Sequence, residues 1–304
     1  MKVAVCVFVC FAAFGQSQPA SPPASSGASR SAVPSKPAKS SGVLGIRKGE
    51  EAIKDKDFYD ATGYFHPFRR MPRFVWEDQK AIWTSPFHTS KSNAKWWGIF
   101  VPLTAALIAT DQYTATAAPN TQRLVTLGDA ASQLGAAYTL IPLTAGFYFA
   151  GTHFQNTRFR EAGLLSFEAM INVTIVDTVI KAATMRERPY QGDGEGHFWA
   201  HPGNPISQSF PSGHSINTMA VASVFAHEYH DKLWVKILAY SYAGAVEGAR
   251  LAANKHFPGD VVAGGALGWF IGDYVYEKRH NPGVHKNGVA LRILDHVHFG
   301  VSFE

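Results

Sequence analysis

Residues 161–189, EAGLLSFEAMINVTIVDTVIKAATMRERP, begin as an apolar helix candidate and end in a dense run of charge. The pattern predicts a helix over 161–183, closed by the cluster Lys181 to Arg188 and stopped at Pro189. Outward from this stretch the same texture recurs, with helices predicted over 96–112, 130–152, 213–229, 233–252 and 259–276. Ala131 to Thr157 carries no Lys, Arg, Asp or Glu, whereas other helices are broken by Asp111, Glu168, Asp177, Lys236, Glu247 and Asp273. Helices of this kind pack in a soluble bundle or against one another in a membrane, and length alone does not decide between them. The expected fold class is all-α, an up-and-down bundle of about six core helices over residues 96–280.

Three charged groups sit at the ends of the later helices. Lys181 to Pro189 closes the third, Pro211-Ser212-Gly213-His214 opens the fourth, and Arg250 ends the fifth, with His256-Phe257-Pro258-Gly259-Asp260 opening the sixth. In an antiparallel bundle those four ends lie on one face, so the groups converge. Lys181, Arg188 and Arg250 then surround a helix N-terminus at Ser212 and Gly213, whose unpaired N–H groups and dipole add partial positive charge. A planar guanidinium suits equatorial phosphoryl oxygens and an ammonium acts as a point charge, so the arrangement describes an oxyanion site. Taken singly, each residue has a plainer reading. Asp177 and Lys181 make an i,i+4 ion pair that also aims the lysine, Pro211-Ser212-Gly213 is ordinary helix-start chemistry, and Asp260 suits a first helical turn.

The pattern K-x6-R-P, then P-S-G-H, then R-x5-H-x3-D, strongly resembles the type 2 phosphatidic acid phosphatase (PAP2) superfamily, which also includes bacterial acid phosphatases and vanadium haloperoxidases. One departure is Ala249, where the family usually places a Ser before the third-motif Arg. The resemblance implies a PAP2-like bundle in which His256 is the nucleophile, carrying a phosphohistidine intermediate, and Asp260 supports its other ring nitrogen. It implies that His214 is the general acid for the leaving oxygen. Lys181, Arg188 and Arg250, with the Ser212 hydroxyl and the Gly213 amide, would hold the phosphoryl oxygens. No metal and no cofactor is expected, with vanadate as a phosphate mimic. The expected substrate is a phosphorylated lipid or a small phosphate ester, lipid phosphate being favoured by the resemblance. The alternatives are a vanadate-dependent haloperoxidase and a non-catalytic phosphate-binding helical membrane protein.

Composition supports this frame. Of 304 residues, 46% are hydrophobic, 13% aromatic and 17% charged, the last below the roughly 25% usual in soluble domains. That excludes a disordered chain and leans toward a membrane-associated or heavily buried helical protein. The net charge is +5, yet Lys and Arg form no stripe, so no nucleic-acid partner is expected. Cys6 and Cys10 both lie in the first apolar segment, which excludes a disulfide scaffold and a cysteine zinc site. His227-Glu228-Tyr229-His230 lacks the i,i+4 histidine spacing of a zinc helix, and His296 and His298 share a face without a third ligand nearby.

Residues 1–15 read as a secretory signal peptide, with Lys2, an apolar run from Val3 to Phe14, and Ala13 and Gly15 before a cut ahead of Gln16. Residues 16–42, built of Ser, Pro, Ala and Gly, read as a flexible linker, and 43–95 as an accessory region of short helices packed on the main body. In the tail, residues 281–304, the alternation of Val297, Phe299, Val301 and Phe303 with His296, His298 and Ser302 predicts a small strand. If the signal peptide exports the rest of the chain and all six helices span, the catalytic end faces the cytoplasm. Lys91, Lys95, Arg158, Arg160, Lys232, Lys236, Lys278 and Arg279 fall at the other end, and the positive-inside rule gives the opposite orientation. The resolution adopted is an exported bundle, periplasmic or membrane-associated with its site facing the periplasm and a membrane surface as partner. An integral membrane protein is the alternative, and no oligomeric state is read from the sequence.

Overall fold

The computed structural model describes residues 66–85, 91–117, 121–191, 193–200 and 207–280. The signal peptide, the linker, part of the accessory region and the C-terminal strand predicted from sequence lie outside the described residues. Within them the regular elements are helical. They are α1 (His66–Thr84), α2 (Lys91–Ala117), α3 (Gln122–Ser132), a 3-10 turn (Gln133–Gly135), α4 (Ala137–His153), α5 (Thr157–Thr184), α6 (Gly213–Glu228), α7 (Leu233–Ala252) and α8 (Pro258–Arg279). The helix predicted over 130–152 is therefore two helices with a tight turn between them.

Local chemistry sets the boundaries. Asn156 caps α5, its side-chain oxygen accepting from the Phe159 amide at 3.2 Å. Pro258 occupies the first turn of α8, where its missing N–H costs nothing. At the other end of α5, Met185 takes a left-handed conformation with φ 44°, which stops the helix and turns the chain inward.

The centre of the bundle is formed by α5, α6 and α8, whose Leu164, Leu165, Val173, Ile216, Ala220, Val224, Ile271 and Val275 form one buried apolar cluster. Close approach of α8 to α6 depends on Gly268, where a Cβ would stand 2.2 Å from the Ile216 carbonyl oxygen. The direction of each helix is fixed by contacts at both ends. Arg158, at the start of α5, binds Asp231 just beyond α6 at 2.7 Å, and Lys181, at the end of α5, lies against Gly213. Helices α5 and α6 are therefore antiparallel, as an up-and-down order requires. Asp260 meets Ser212 at the start of α8, and Asp273 meets half-buried His227 at 3.0 Å near its end, so α6 and α8 run parallel with α7 returning between them.

Polar contacts fasten α1 to this core. The Asn172 amide donates to Asp78 at 3.2 Å, and Arg279 reaches Asp78 at 2.8 Å while stacking over the Phe74 ring. By contrast α2, α4 and α7 turn apolar side chains outward, among them Ile99, Val101, Ile141, Leu143, Trp234 and Ile237. Among the described residues two helical stretches, Gln122–His153 and Thr157–Thr184, are long and apolar enough to cross a membrane, and their apolar windows are 33% and 61% buried.

Candidate active site

Four helix ends meet at one end of the bundle. Lys181 stands in the last turn of α5, with Arg188 in the segment after it. Ser212 caps α6, Gly213 and His214 open it, Arg250 lies in the last turn of α7, His256 sits between α7 and α8, and Asp260 lies in the first turn of α8. The Ser212 amide donates to the Asp260 carbonyl at 3.0 Å, which joins the starts of α6 and α8.

His256 is buried, and its Nδ1 lies 2.8 Å from the Ser209 carbonyl oxygen and 3.6 Å from Asp260 Oδ2. A carbonyl oxygen only accepts, so Nδ1 carries the ring hydrogen and the neutral ring keeps its lone pair on Nε2. The sequence suggested Asp260 as the direct acceptor. The structure interposes Ser209, whose carbonyl takes the imidazole N–H while its hydroxyl donates to Asp260 Oδ2 at 2.5 Å. Asp260 Oδ2 also accepts from the Phe257 amide at 3.0 Å, and Oδ1 pairs with Arg186 at 2.6 Å. Burial pushes the His256 pKa down to about 3, only partly opposed by Asp260, so the ring is neutral near pH 7. Burial alone would raise the Asp260 pKa, but the neighbouring His256, then Arg186 and the Ser209 hydroxyl, outweigh it and hold the carboxyl below its ordinary value.

The cations are held in different ways. Lys181 Nζ rests 2.8 Å from Asp177 Oδ2, and a Cβ on Gly213 would stand 3.0 Å from that Nζ, so the glycine lets the helix start press against the ammonium. Arg188 is fixed by neutral oxygens, Nε donating to the Ser207 carbonyl at 2.8 Å. Arg250 donates from Nη1 to the Ser132 hydroxyl at 3.0 Å, and its buried Nε has no hydrogen-bond partner. Ser132, from the end of α3, thus supplies a hydroxyl to this arginine where residue 249 is Ala. Burial and the neighbouring Arg188 lower the Arg250 pKa to about 10, which leaves it charged at neutral pH. Burial, followed by Arg250, His256, Lys181 and Arg188, lowers the His214 pKa to about 3. These mutual effects describe a buried concentration of positive charge beside a neutral imidazole, a setting that favours an anion.

Ser212 is also an ordinary cap: its hydroxyl oxygen accepts from the Ser215 hydroxyl at 2.9 Å and more weakly from the Ser215 amide. Sequence reading assigned no role to Arg186, Ser209, Ser132 or the reach of Asp111 into this region. For Arg186 the signal was its place inside the first charged cluster, whereas the contribution of Ser209 comes largely from its backbone carbonyl. Beside the site, Trp199 is pinned to the end of α5 by its indole N–H on the Ala183 carbonyl at 2.8 Å, and Phe198 lies edge-on to Phe210. In the same loop, exposed Asp193, Glu195 and His197 bring ligand atoms within 4.8 Å of one another, with His197 Nε2 3.0 Å from Asp193.

Residues 162–282 match the family model of the PAP2 superfamily. Lipid A 1-phosphatase from Porphyromonas gingivalis is 32% identical over 76 residues, a match covering 25% of this chain and 17% of that relative. Among solved structures, the transmembrane PAP2-type phosphatidylglycerolphosphate phosphatase from Bacillus subtilis is 24% identical with a TM-score of 0.49, over 60% of this chain and 94% of that one. LpxE from Aquifex aeolicus is 20% identical with a TM-score of 0.41, over 56% and 93%. The matched segment holds every residue of the three motifs, from Lys181 to Asp260, and over residues 162–282 the chain is similar to the PAP2 superfamily.

Proposed function

We propose that this protein is a metal-independent phosphatase that removes phosphate from a phosphorylated lipid, a monoester or a diphosphate, through a phosphohistidine on His256. The observation that carries the reading is the buried His256, with Nδ1 committed to the Ser209 carbonyl and Nε2 left as nucleophile, among Lys181, Arg188 and Arg250. His256 Nε2 attacks phosphorus as the bond to the leaving oxygen breaks, and His214 gives its proton to that oxygen. The three cations, the Ser212 hydroxyl and the Gly213 amide hold the remaining phosphoryl oxygens and take up charge in the transition state. Water then attacks the phosphohistidine, His214 accepts its proton, and inorganic phosphate leaves with His256 restored.

Among the protein's own charges His214 is neutral. A phosphate group brought between Lys181, Arg188 and Arg250 adds negative charge beside it and favours the imidazolium, so the substrate itself arms the general acid. The outward apolar side chains of α2, α4 and α7 support membrane association, and with it a lipid substrate. Export, with the catalytic end outside the cytoplasm, completes the proposal.

The test is phosphate release by wild type and His256→Ala, with and without a chelator, from a phosphatidic acid, a polyprenyl diphosphate and a soluble aryl phosphate. The expected result is chelator-resistant release, greatest from a lipid and lost in the variant. Release from none of the three by folded protein would overturn the reading, and greatest release from the aryl phosphate would overturn the lipid preference. Orthovanadate, as a phosphate mimic, is expected to inhibit.

A further inference from the structure

Arg186 lies inside the first charged cluster, yet it points away from the three phosphate-facing cations and into the protein. It is 1% exposed, with its guanidinium between the rings of Phe198 and Phe257 at 4.8 and 4.5 Å. Nε donates to the Gly196 carbonyl at 3.1 Å, Nη1 pairs with Asp260 at 2.6 Å, and Nη2 lies 2.9 Å from Asp111 Oδ2. Asp111 comes from α2, outside the family-matched segment, and is fully buried. Its Oδ1 accepts from the Gly259 amide at 3.0 Å, next to Asp260 in the chain. A carboxylate, a guanidinium and a second carboxylate therefore run in line from α2 to the residue behind the nucleophile.

Stability alone does not call for such an array, because well-packed apolar side chains replace buried ion triads with little loss or with gain. Its geometry does a narrower job. Arg186 occupies Asp260 Oδ1 and compensates the charge of a wholly buried carboxylate, while Asp111 holds the other side of the guanidinium and the backbone at Gly259. Asp260 Oδ2 is then left to the Ser209 hydroxyl and the Phe257 amide, and through Ser209 the carbonyl that binds His256 is fixed in place.

We propose that Asp111 and Arg186 are a positioning pair, which holds Asp260 ionised and oriented and thereby sets the Nδ1–H tautomer of the nucleophilic His256. The proposal rests on the phosphatase reading and extends the working site to a helix outside the family-matched segment. A pair that acts through Asp260 affects phosphoryl transfer more than substrate binding, because neither residue faces the three phosphate-binding cations.

The test compares wild type with Asp111→Asn, Arg186→Lys, Arg186→Met, Asp260→Asn and the double variant Arg186→Met/Asp260→Asn, with His256→Ala as control. Each single change at 111 or 186 is expected to lower kcat by about 10- to 100-fold, the range typical of groups that orient a reacting residue, with KM within about twofold. Arg186→Lys, which keeps the charge, is expected to retain more activity than Arg186→Met. In the Asp260→Asn background, Arg186→Met is expected to cost little more. Losses that multiply in the double variant, or Asp111→Asn at wild-type kcat, would overturn the pair. Ring-nitrogen NMR shifts of His256 read the tautomer without turnover: Nδ1–H is expected in wild type, and a mixture of tautomers in Asp111→Asn and Arg186→Lys. An unchanged tautomer in folded variants overturns the proposal even if the protein releases no phosphate, whereas an inactive wild type with the expected tautomer shifts would overturn only the phosphatase reading.

Discussion

His214 and His256 are the same residue type, both are neutral among the protein's own charges, and burial is the first cause in each. Their surroundings separate their roles. His256 has a carbonyl and a nearby carboxylate behind Nδ1, which fit the nucleophile role proposed for it, whereas His214 stands among cations that keep it neutral until negative charge arrives, as the proposed general acid requires. Binding of a phosphate-like dianion should therefore raise the His214 pKa and take up a proton. Tungstate binding at pH 7, followed by calorimetry in buffers of different ionisation enthalpy, is expected to show proton uptake in wild type and much less in His214→Ala. Equal uptake in both proteins would remove His214 from the acid role. Gly213 controls how closely the start of α6 approaches Lys181. Gly213→Ala places a methyl 3.0 Å from Lys181 Nζ and 3.1 Å from Asp177 Oδ2. The ammonium is the flexible end of its side chain, so it should yield while the fold persists. The expected result is a higher KM with a nearly unchanged melting temperature, and an unchanged KM would contradict the placement of Lys181 against the helix start.

The ends of the helices, more than their middles, carry this protein's chemistry, and the ends were the legible part. Pro258, Ser212 and the charge cluster after Ile180 are local signals, and the observed limits of α5 to α8 fall within a few residues of those read from sequence. The break at Gln133–Gly135 was not legible, because no charge or Pro marks it. Its reason is tertiary: a Cβ at Gly135 would stand 2.4 Å from the Val246 side chain, so the turn packs closely on α7. The long-range partners of the site escaped for the same reason. Asp111 reaches Gly259 across 148 positions, and Ser132 reaches Arg250 across 118, and no periodicity encodes such pairs. Glycines on α8 make the α6 interface testable as an element. Gly268→Ala forces a methyl into the Ile216 carbonyl, and overpacking of this kind costs about 1–3 kcal/mol. A fall in melting temperature is expected, and a wild-type value would mean that α8 and α6 are not in such close contact.

Across the whole molecule, polarity is arranged by position. Apolar residues face outward on α2, α4 and α7, while ion pairs are buried at both ends of the bundle: Arg186 with Asp111 and Asp260 at the end that gathers the three motifs, and Arg279 with Asp78 at the other. Such an interior makes stability depend on pH. His214 and His256 have folded pKa values of about 3 against an ordinary 6.5, so between those values the unfolded chain binds more protons. Their contribution is fully present above about 6.5 and is lost as pH falls toward 3. Glu228 and Glu247, whose pKa values burial raises to about 8, act in the opposite direction, so the histidines are read as a difference: from pH 7 to pH 5 the melting temperature of wild type should fall relative to that of a His214→Gln/His256→Gln variant. An equal change in both proteins would assign the effect to other groups.

The proposed function turns on a covalent bond between His256 and phosphorus, which rapid acid-free quench with peptide mass spectrometry would detect. During turnover of a phosphorylated substrate the expected result is a phosphoryl group on the peptide containing His256, stable to base and lost in acid, and absent from His256→Ala. Turnover that persists in His256→Ala, or a phosphoryl group found only on another residue, would contradict the account.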